Sequence, residues 1–260
     1  MKITIVIPAY NEEKRIGNTL NEYSSFFEKK RRKKEIDYQI LVAINNTSDK
    51  TEEVVKKCKV KNGRIKYINL VKGGKGYAVI EGFKKSLNSE NDLIGFVDAD
   101  MATSPLEYYR LIKSVDRYDA AIASRYLPGS RVFPAFTFRR LVVGRIFNLF
   151  VRLLFLIPYT DTQCGAKLFS TNAIEVITEN VKTSQWAFDV EMLYLLHRKG
   201  MKIKEVPTIW REMEESKLNI VKASVQMFFA ILRLRIIKSP LKRLLLQLKP
   251  LMGVVWRLTK

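Results

Sequence analysis

Five apolar runs of strand length, "KITIVIPAY", "YQILVAI", "IKYINL", "LIGFV" and "YDAAIAS", are spread over the first half of the chain, with segments of helical periodicity between them. In "NEEKRIGNTLNEYSSFF" the residues Ile16, Leu20, Tyr23 and Phe27 recur at helical spacing. "DKTEEVVKKC", "GYAVIEGFKKSL" and "LEYYRLIKSV" read as further helices. This alternation predicts a parallel, doubly wound α/β sheet with helices on both faces. At 260 residues and 47% hydrophobic, the chain is long enough to bury a full core as one domain. No internal repeat or low-complexity linker divides it. The basic run "EKKRRKKE" reads as a solvated loop or helix end.

Ligands of such sheets lie beyond the carboxyl ends of the strands. Three polar clusters follow the expected strands there: "PAYNEE", "NNTSDKT" and "DADMATSP". Ser104, Pro105 and Glu107 have the pattern of a capping box, so Asp98 and Asp100 fall between a strand end and a helix start. In an extended segment alternate side chains point the same way, and the two carboxylates can face one cation. Hard oxygen ligands suit Mg²⁺ or Mn²⁺, which keep several waters and bridge substrate phosphates. The glycines of "VKGGKGY" do not have the spacing of an ATP-binding loop; Lys75 is suited to a diphosphate nearby, and a Gly-rich turn before a helix is an equal reading.

The acid stands out because the chain as a whole is basic, with 46 Lys and Arg against 26 Asp and Glu. Such a balance favours anionic partners. From Ser216 to the end there are 10 basic residues and no acidic one; from Ala120 to Thr160 there are six Arg and no acid. Both stretches are also rich in Leu, Ile, Val and Phe, which fits an anionic membrane surface better than a nucleic-acid groove. A nucleic-acid-binding module would leave the acidic pair unexplained. Two cysteines and one histidine exclude a Cys/His zinc site and a disulfide framework, and leave little room for a Ser-His-Asp triad. His197, beside Arg198 and Lys199, reads as a surface residue. The first residues are too short an apolar run for a signal peptide and read as a core strand. The expectation is a protein on the cytoplasmic face of a membrane.

"IVIPAYNEE", "NNTSDKT", "GGKGYAVIEGF", "FVDADMATSP", "ASRYLPGS", "DTQCGAKLF", "WAFDVEMLYLL" and "EVPTIWREMEESKL" occur in the order seen in family 2 glycosyltransferases. Over roughly residues 1 to 220 the chain resembles the branch that makes dolichyl-phosphate hexoses. "DADMATS", "DTQCGAKLF" and "WAFDVE" are more similar to the dolichyl-phosphate glucosyltransferases than to the mannose-phosphate synthases. The resemblance implies a GT-A (Rossmann-like) fold and inverting transfer of a hexose from a nucleotide sugar to dolichyl or polyprenyl phosphate. UDP-glucose is the favoured donor and GDP-mannose the alternative; a sugar acceptor is a further variant.

It also implies site residues. Pro8, Ala9, Tyr10, Glu12, Ala43 and Asn45 would contact the donor, with Lys75, Arg125, Asp98, Ala99 and Asp100 around its diphosphate. Asp98 and Asp100 would hold the metal and, with Arg211 and Lys217, carry catalysis. Arg131, Gln163, Asp189 and Ser216 would meet the acceptor. Asp189 and Glu191, near a helix start, are equally suited to the helix dipole. The sequence departs from the family at Asn45, where Asp is usual, and at Ala102, where many mannose-phosphate synthases have Gln.

The stretch "LVVGRIFNLFVRLLFLI" has about the length of a short span, but Arg145, Asn148 and Arg152 interrupt it on one expected helical face. Each Arg would cost ~2.5 kcal/mol or more at a bilayer centre. Residues 137–158 therefore read as an interfacial amphipathic helix. A polar stripe of Asn219, Lys222, Gln226 and Arg233 extends the same design into a basic tail. The expected division is a transferase domain over 1–218 and a membrane-associating tail over 219–260, with no transmembrane span.

Overall fold

The computed structural model describes residues 1–181, 187–212 and 220–239, the last segment as backbone alone up to residue 225. The first five strands fall where the apolar runs predict: β1 (Lys2–Ala9), β2 (Asp37–Asn45), β3 (Ile65–Leu70), β4 (Leu93–Val97) and β5 (Ala120–Ser124). Between them lie α1 (Ile16–Arg32), α2 (Thr51–Lys61), α3 (Lys75–Leu87) and α4 (Pro105–Ser114). The basic run ends α1, with Lys29, Lys30, Arg31 and Arg32 in its last turn, where cations suit the helix dipole. Beyond β5 come β6 (Arg131–Phe133), α5 (Phe138–Phe155), β7 (Ala166–Ser170), α6 (Thr171–Asn180), α7 (Phe188–Arg198), β8 (Ile203–Pro207), β9 (Ile209–Arg211) and α8 (Ile220–Ile237).

The main sheet has seven strands in the order β3-β2-β1-β4-β7-β5-β8, and β6 pairs with β9 in a separate ribbon. β1, β2, β3 and β4 are mutually parallel, as are β5 and β8. The sheet is mixed rather than wholly parallel because β7 runs antiparallel between β4 and β5. Its two faces bury different helices. Ile3, Ile5 and Ile7 meet α1 and α4 through Ile16, Leu20, Tyr23, Tyr108 and Ile112. Val6, Ala43, Ile94 and Phe96 meet α3, α6 and α7 through Val79, Phe83, Ile174 and Met192. Alternation along β1 thus feeds both cores, the arrangement that defines a doubly wound sheet.

A third core joins Ile122 and Val190 to Val151 and Phe155 of α5 and to Ile231 and Leu234 of α8. Lys238 just beyond α8 pairs with the buried Glu191 at 2.8 Å. The last two turns of α8 therefore belong to the domain that the sequence reading closed at residue 218, because their Ile and Leu find an apolar surface there. Asn219 and residues 240–260 lie outside the described residues. His197 also differs from expectation: half-buried, it meets Tyr159 edge to face with its Nδ1 3.4 Å from the Tyr159 hydroxyl.

Gly95, central in β4, lies where α4 and β7 come closest. A Cβ there would overlap the Lys167 carbonyl oxygen and the Tyr108 hydroxyl, and would lie 2.8 Å from the Leu168 Cα. Backbone cannot retreat as a side chain can. Gly95→Ala should therefore destabilise the fold by about 1–3 kcal/mol, read as a lowered urea midpoint. An unchanged midpoint would contradict this packing.

Candidate active site

The polar clusters after β1 and β2 are laced together. The Asn11 side-chain oxygen accepts from the Ser48 N–H at 2.9 Å, and the Asn11 N–H donates to the Thr47 hydroxyl at 3.1 Å. The Glu12 N–H donates to the Thr51 hydroxyl at 2.7 Å, and the Glu13 N–H to Asp49 at 3.0 Å. Asp49 also accepts from Thr47 and from the Thr51 N–H and hydroxyl. Burial opposes its charge, yet these donors hold its carboxyl at about 2. Sequence reading gave Asp49 no role, although its spacing before Thr51 is that of a residue turning back on a helix start.

The third cluster leaves the end of β4 beside the other two. Asp98 accepts from Lys75 Nζ at 2.5 Å, and its N–H donates to the Gly165 carbonyl at 3.1 Å. A Cβ on Gly165 would overlap the Asp98 carboxylate, so only glycine lets the loop before β7 come so near. Asp100 Oδ1 accepts from the Ala102 N–H at 3.0 Å. Burial, then the charge of Asp98, raises the Asp100 carboxyl above its ordinary value. Glu12 is raised by burial as well, with the fields of Asp100 and Asp98 adding to it, although Arg15 binds it through two contacts of 2.8 Å.

Carboxylates brought this close together favour a cation among them. Asp98 is 32% exposed and open to a ligand. Among the described residues no group of three or more Asp, Glu, His or Cys side chains surrounds a common point. Two carboxylates with waters or substrate oxygens are the usual way a hard divalent ion is held beside phosphates. The donor set fits Mg²⁺ or Mn²⁺.

Around this loop the structure gathers cations. The Arg211 N–H donates to the Ala102 carbonyl at 2.9 Å, and Thr103 pairs with Trp210. The Arg211 guanidinium lies 5.3 Å from the Phe133 ring. Glu107 supports this ribbon, accepting from the Ile209 N–H at 2.9 Å. Only half of the expected capping box forms at α4: Ser104 accepts from the Glu107 N–H, but the Glu107 carboxylate serves β9 instead. Arg125 faces Tyr126, Phe136 and Trp210. It is bound in fork fashion by Asp161, at 2.7 and 2.9 Å. Burial opposes the Asp161 charge, but Arg125 holds the carboxyl below its ordinary value. Arg125 is thus already paired, and what it offers a phosphate is residual. Glu205 fixes this turn by accepting from the Thr160 and Asp161 N–H groups.

The other expected residues divide plainly. Tyr10 and Arg131 are exposed, and Pro8 is half-buried. Ala9, Ala43 and Ala99 bury their side chains in the core, leaving only backbone for a ligand. Asn45 is 4% exposed, and its Oδ1 has no hydrogen-bond partner. Gln163 Nε2 is likewise buried without a partner. Asp189 is held in a buried ion pair, with Lys167 Nζ 2.5 Å from its Oδ1 and 2.7 Å from the Cys164 carbonyl. The sequence contains no signal for Lys167 beyond a Lys in a strand that is otherwise apolar. Ser216 and Lys217 lie outside the described residues.

α5 runs on from this basic, aromatic side. Its Asn148 turns inward, against the expectation of one polar face with Arg145 and Arg152: its Oδ1 accepts from the Thr162 N–H at 3.3 Å. Outward, Phe138, Val142, Ile146, Leu149 and Leu153 follow one helical face, continued by Leu156, at 37% to 82% exposure. No helix among the described residues is long and apolar enough to cross a membrane.

Residues 4–177 match the family described as glycosyl transferase family 2. A dolichyl-phosphate beta-glucosyltransferase of Trichomonas vaginalis is 33% identical over 225 residues, 84% of this chain and 66% of that protein. The enzyme of the same description from Dictyostelium discoideum is 31% identical over 90% of this chain and 73% of its own length. The one from Homo sapiens is 32% identical over 84% and 69%. Among solved structures, glucosyl-3-phosphoglycerate synthase from Mycobacterium tuberculosis, in complex with Mn²⁺, UDP-glucose and phosphoglyceric acid, superposes with a TM-score of 0.68. It covers 92% of this chain and 81% of that one at 18% identity, a likeness of fold.

Because its folded pKa is depressed, Asp49 contributes stability that is fully present above the ordinary carboxyl value and is lost as pH falls toward about 2. Asp49→Asn should cost roughly 1 kcal/mol at pH 7, discounted for partial exposure, and clearly less near pH 3. Denaturant titrations at both pH values check this; an equal loss at both would contradict it.

Proposed function

The chain belongs to glycosyl transferase family 2, and we propose that it transfers glucose, with inversion, from UDP-glucose to a dolichyl or polyprenyl phosphate at a membrane surface. The carrying observation is the division of charge at one end of the sheet: Asp98 and Asp100 on the loop after β4, with Arg211 tied to that loop through its backbone. The names of the three relatives support the glucosyl donor and the lipid-phosphate acceptor. The Mn²⁺ and UDP-glucose held by the structural neighbour support the metal and the nucleotide.

Asp98 and Asp100 would hold a divalent ion, which when bound would supply positive charge to the leaving diphosphate. Lys75, at Asp98, adds a second positive charge on that side. Glycosyl transfer passes through an oxocarbenium-like sugar, and a hydroxyl acceptor would call for a general base. A phosphomonoester does not, because its second pKa of ~6 leaves it largely dianionic at neutral pH. The protein must instead hold two anions near each other, and Arg211 and Arg131 face the incoming phosphate. Asn45, with an unpaired Oδ1 at the end of β2, is suited to accept from an N–H of the nucleotide's base. The test is incubation with UDP- and GDP-sugars plus polyprenyl phosphate, followed by mass analysis of the lipid. UDP-glucose should give the glucosylated lipid; a product formed faster from GDP-mannose, or none from any donor, would overturn the reading.

Asp100→Asn should lower turnover roughly 100-fold with the fold retained, since a neutral amide ligates a hard cation poorly. Wild-type turnover by that variant in excess EDTA would refute the metal role.

The lipid acceptor is met peripherally, through the outer face of α5. Its apolar row is flanked by the exposed Arg139, Arg145 and Arg152, a pattern that places side chains in the interface and guanidinium groups at anionic headgroups. Replacing Ile146 and Leu153 together by Glu should reduce cosedimentation with anionic vesicles by roughly tenfold or more, with turnover of a short, water-soluble polyprenyl phosphate little changed. Equal vesicle binding by both proteins would show that α5 faces something else.

A further inference from the structure

The loop that carries the two acids is fastened from below by α1. Thr19 and Tyr23 lie on the inward face of that helix between Ile16, Leu20 and Phe27, and neither is exposed to solvent. A hydroxyl at such a position costs stability unless it finds a partner. Both do, on the same loop. The Thr19 hydroxyl donates to the Ala99 carbonyl at 2.6 Å, and the Tyr23 hydroxyl to the Thr103 carbonyl at 2.7 Å. Thr19 and Tyr23 are one turn apart on the helix. They therefore grip the loop at two points four residues apart, one between the acids and one just after them. From the other side the Arg211 N–H holds the Ala102 carbonyl. Met101, between these anchors, sits at a φ of 61°, a left-handed conformation that non-glycine residues keep only where their surroundings enforce it.

We propose that Thr19 and Tyr23 are positioning residues for cation binding: through the carbonyls of Ala99 and Thr103 they fix the loop so that Asp98 and Asp100 present their carboxylates together. The proposal rests on the reading that these two acids hold a divalent ion. A loose loop would lose conformational entropy each time two carboxylates converged on one ion, and hydrogen bonds behind the ligands remove that cost. Neither hydroxyl need touch the ion or the substrate. Groups that orient metal ligands from behind typically change metal affinity by ~10–100-fold when removed.

The test measures Mn²⁺ binding to the full chain with UDP present and no acceptor, by the electron paramagnetic resonance signal of free Mn²⁺. Thr19→Val keeps the shape and removes the hydroxyl, Tyr23→Phe does the same, and Thr19→Ser keeps the donor. Thr19→Val and Tyr23→Phe should each raise the Mn²⁺ Kd about tenfold, at temperatures well below their melting points, and Thr19→Ser should restore it. Tyr23→Phe carries the test alone if Thr19→Val does not fold. Lowered melting temperatures with an unchanged Mn²⁺ Kd would overturn the proposal and leave two ordinary core hydrogen bonds. Failure of Thr19→Ser to restore binding would overturn the role of the Thr19 hydroxyl. A wild-type chain that binds no Mn²⁺ with UDP would remove the cation reading as well, whereas normal wild-type binding with unaltered variants removes this inference alone.

Discussion

The antiparallel entry of β7 beside β4 is the constraint on which the site depends. It brings the Gly165 carbonyl to the Asp98 N–H and the bare Cα of Gly165 against the Asp98 carboxylate. A parallel strand in that place would have delivered its loop to the other end of the sheet. With β7 reversed, the turn at 160–165 stands directly beside the acidic loop, and Asp161 can hold Arg125 at the end of β5. The mixed sheet is thus what allows one crevice to draw on β1, β2, β4, β5 and β7 together.

Two of the acids at this end of the sheet are paired with lysines. Lys167 is bound to Asp189 and Lys75 to Asp98, and the fields of both acids reach Lys75. Burial disfavours the Lys75 ammonium, but the fields of Asp98 and Asp189 outweigh it and keep it charged. Buried pairs such as Lys167–Asp189 are weak evidence for stability, because desolvation offsets most of the attraction. Their contribution here is orientation: Lys167 ties the first turn of α7 to the Cys164 carbonyl, beside the glycine that receives Asp98.

Much of this was legible in the sequence, and the exceptions have physical reasons. β1 to β5 are apolar runs bounded by turn residues, so their positions and the convergence of three polar clusters follow from pattern alone. β8 is half-polar and β9 has only three residues, too short for any period to show. Asn148 was misplaced because spacing assigns polar residues to one helical face, whereas its amide is needed inside, against Thr162. At Asp189 the sequence left two roles open and showed no sign of the ion-pair partner, Lys167, which is 22 residues away. Tyr23 reads as part of an amphipathic pattern and Thr19 carries no signal; only the fold shows what their hydroxyls meet.

The central claim is that Asp98 and Asp100 hold a divalent cation against a nucleotide diphosphate. Crystals grown with Mn²⁺ and UDP, measured at the manganese absorption edge, test it most directly. The account predicts one strong anomalous peak within bonding distance of both carboxylates and of diphosphate oxygens, with Lys75 close by. A peak elsewhere, or UDP bound at the ends of β1 and β2 with no metal beside these acids, would contradict it.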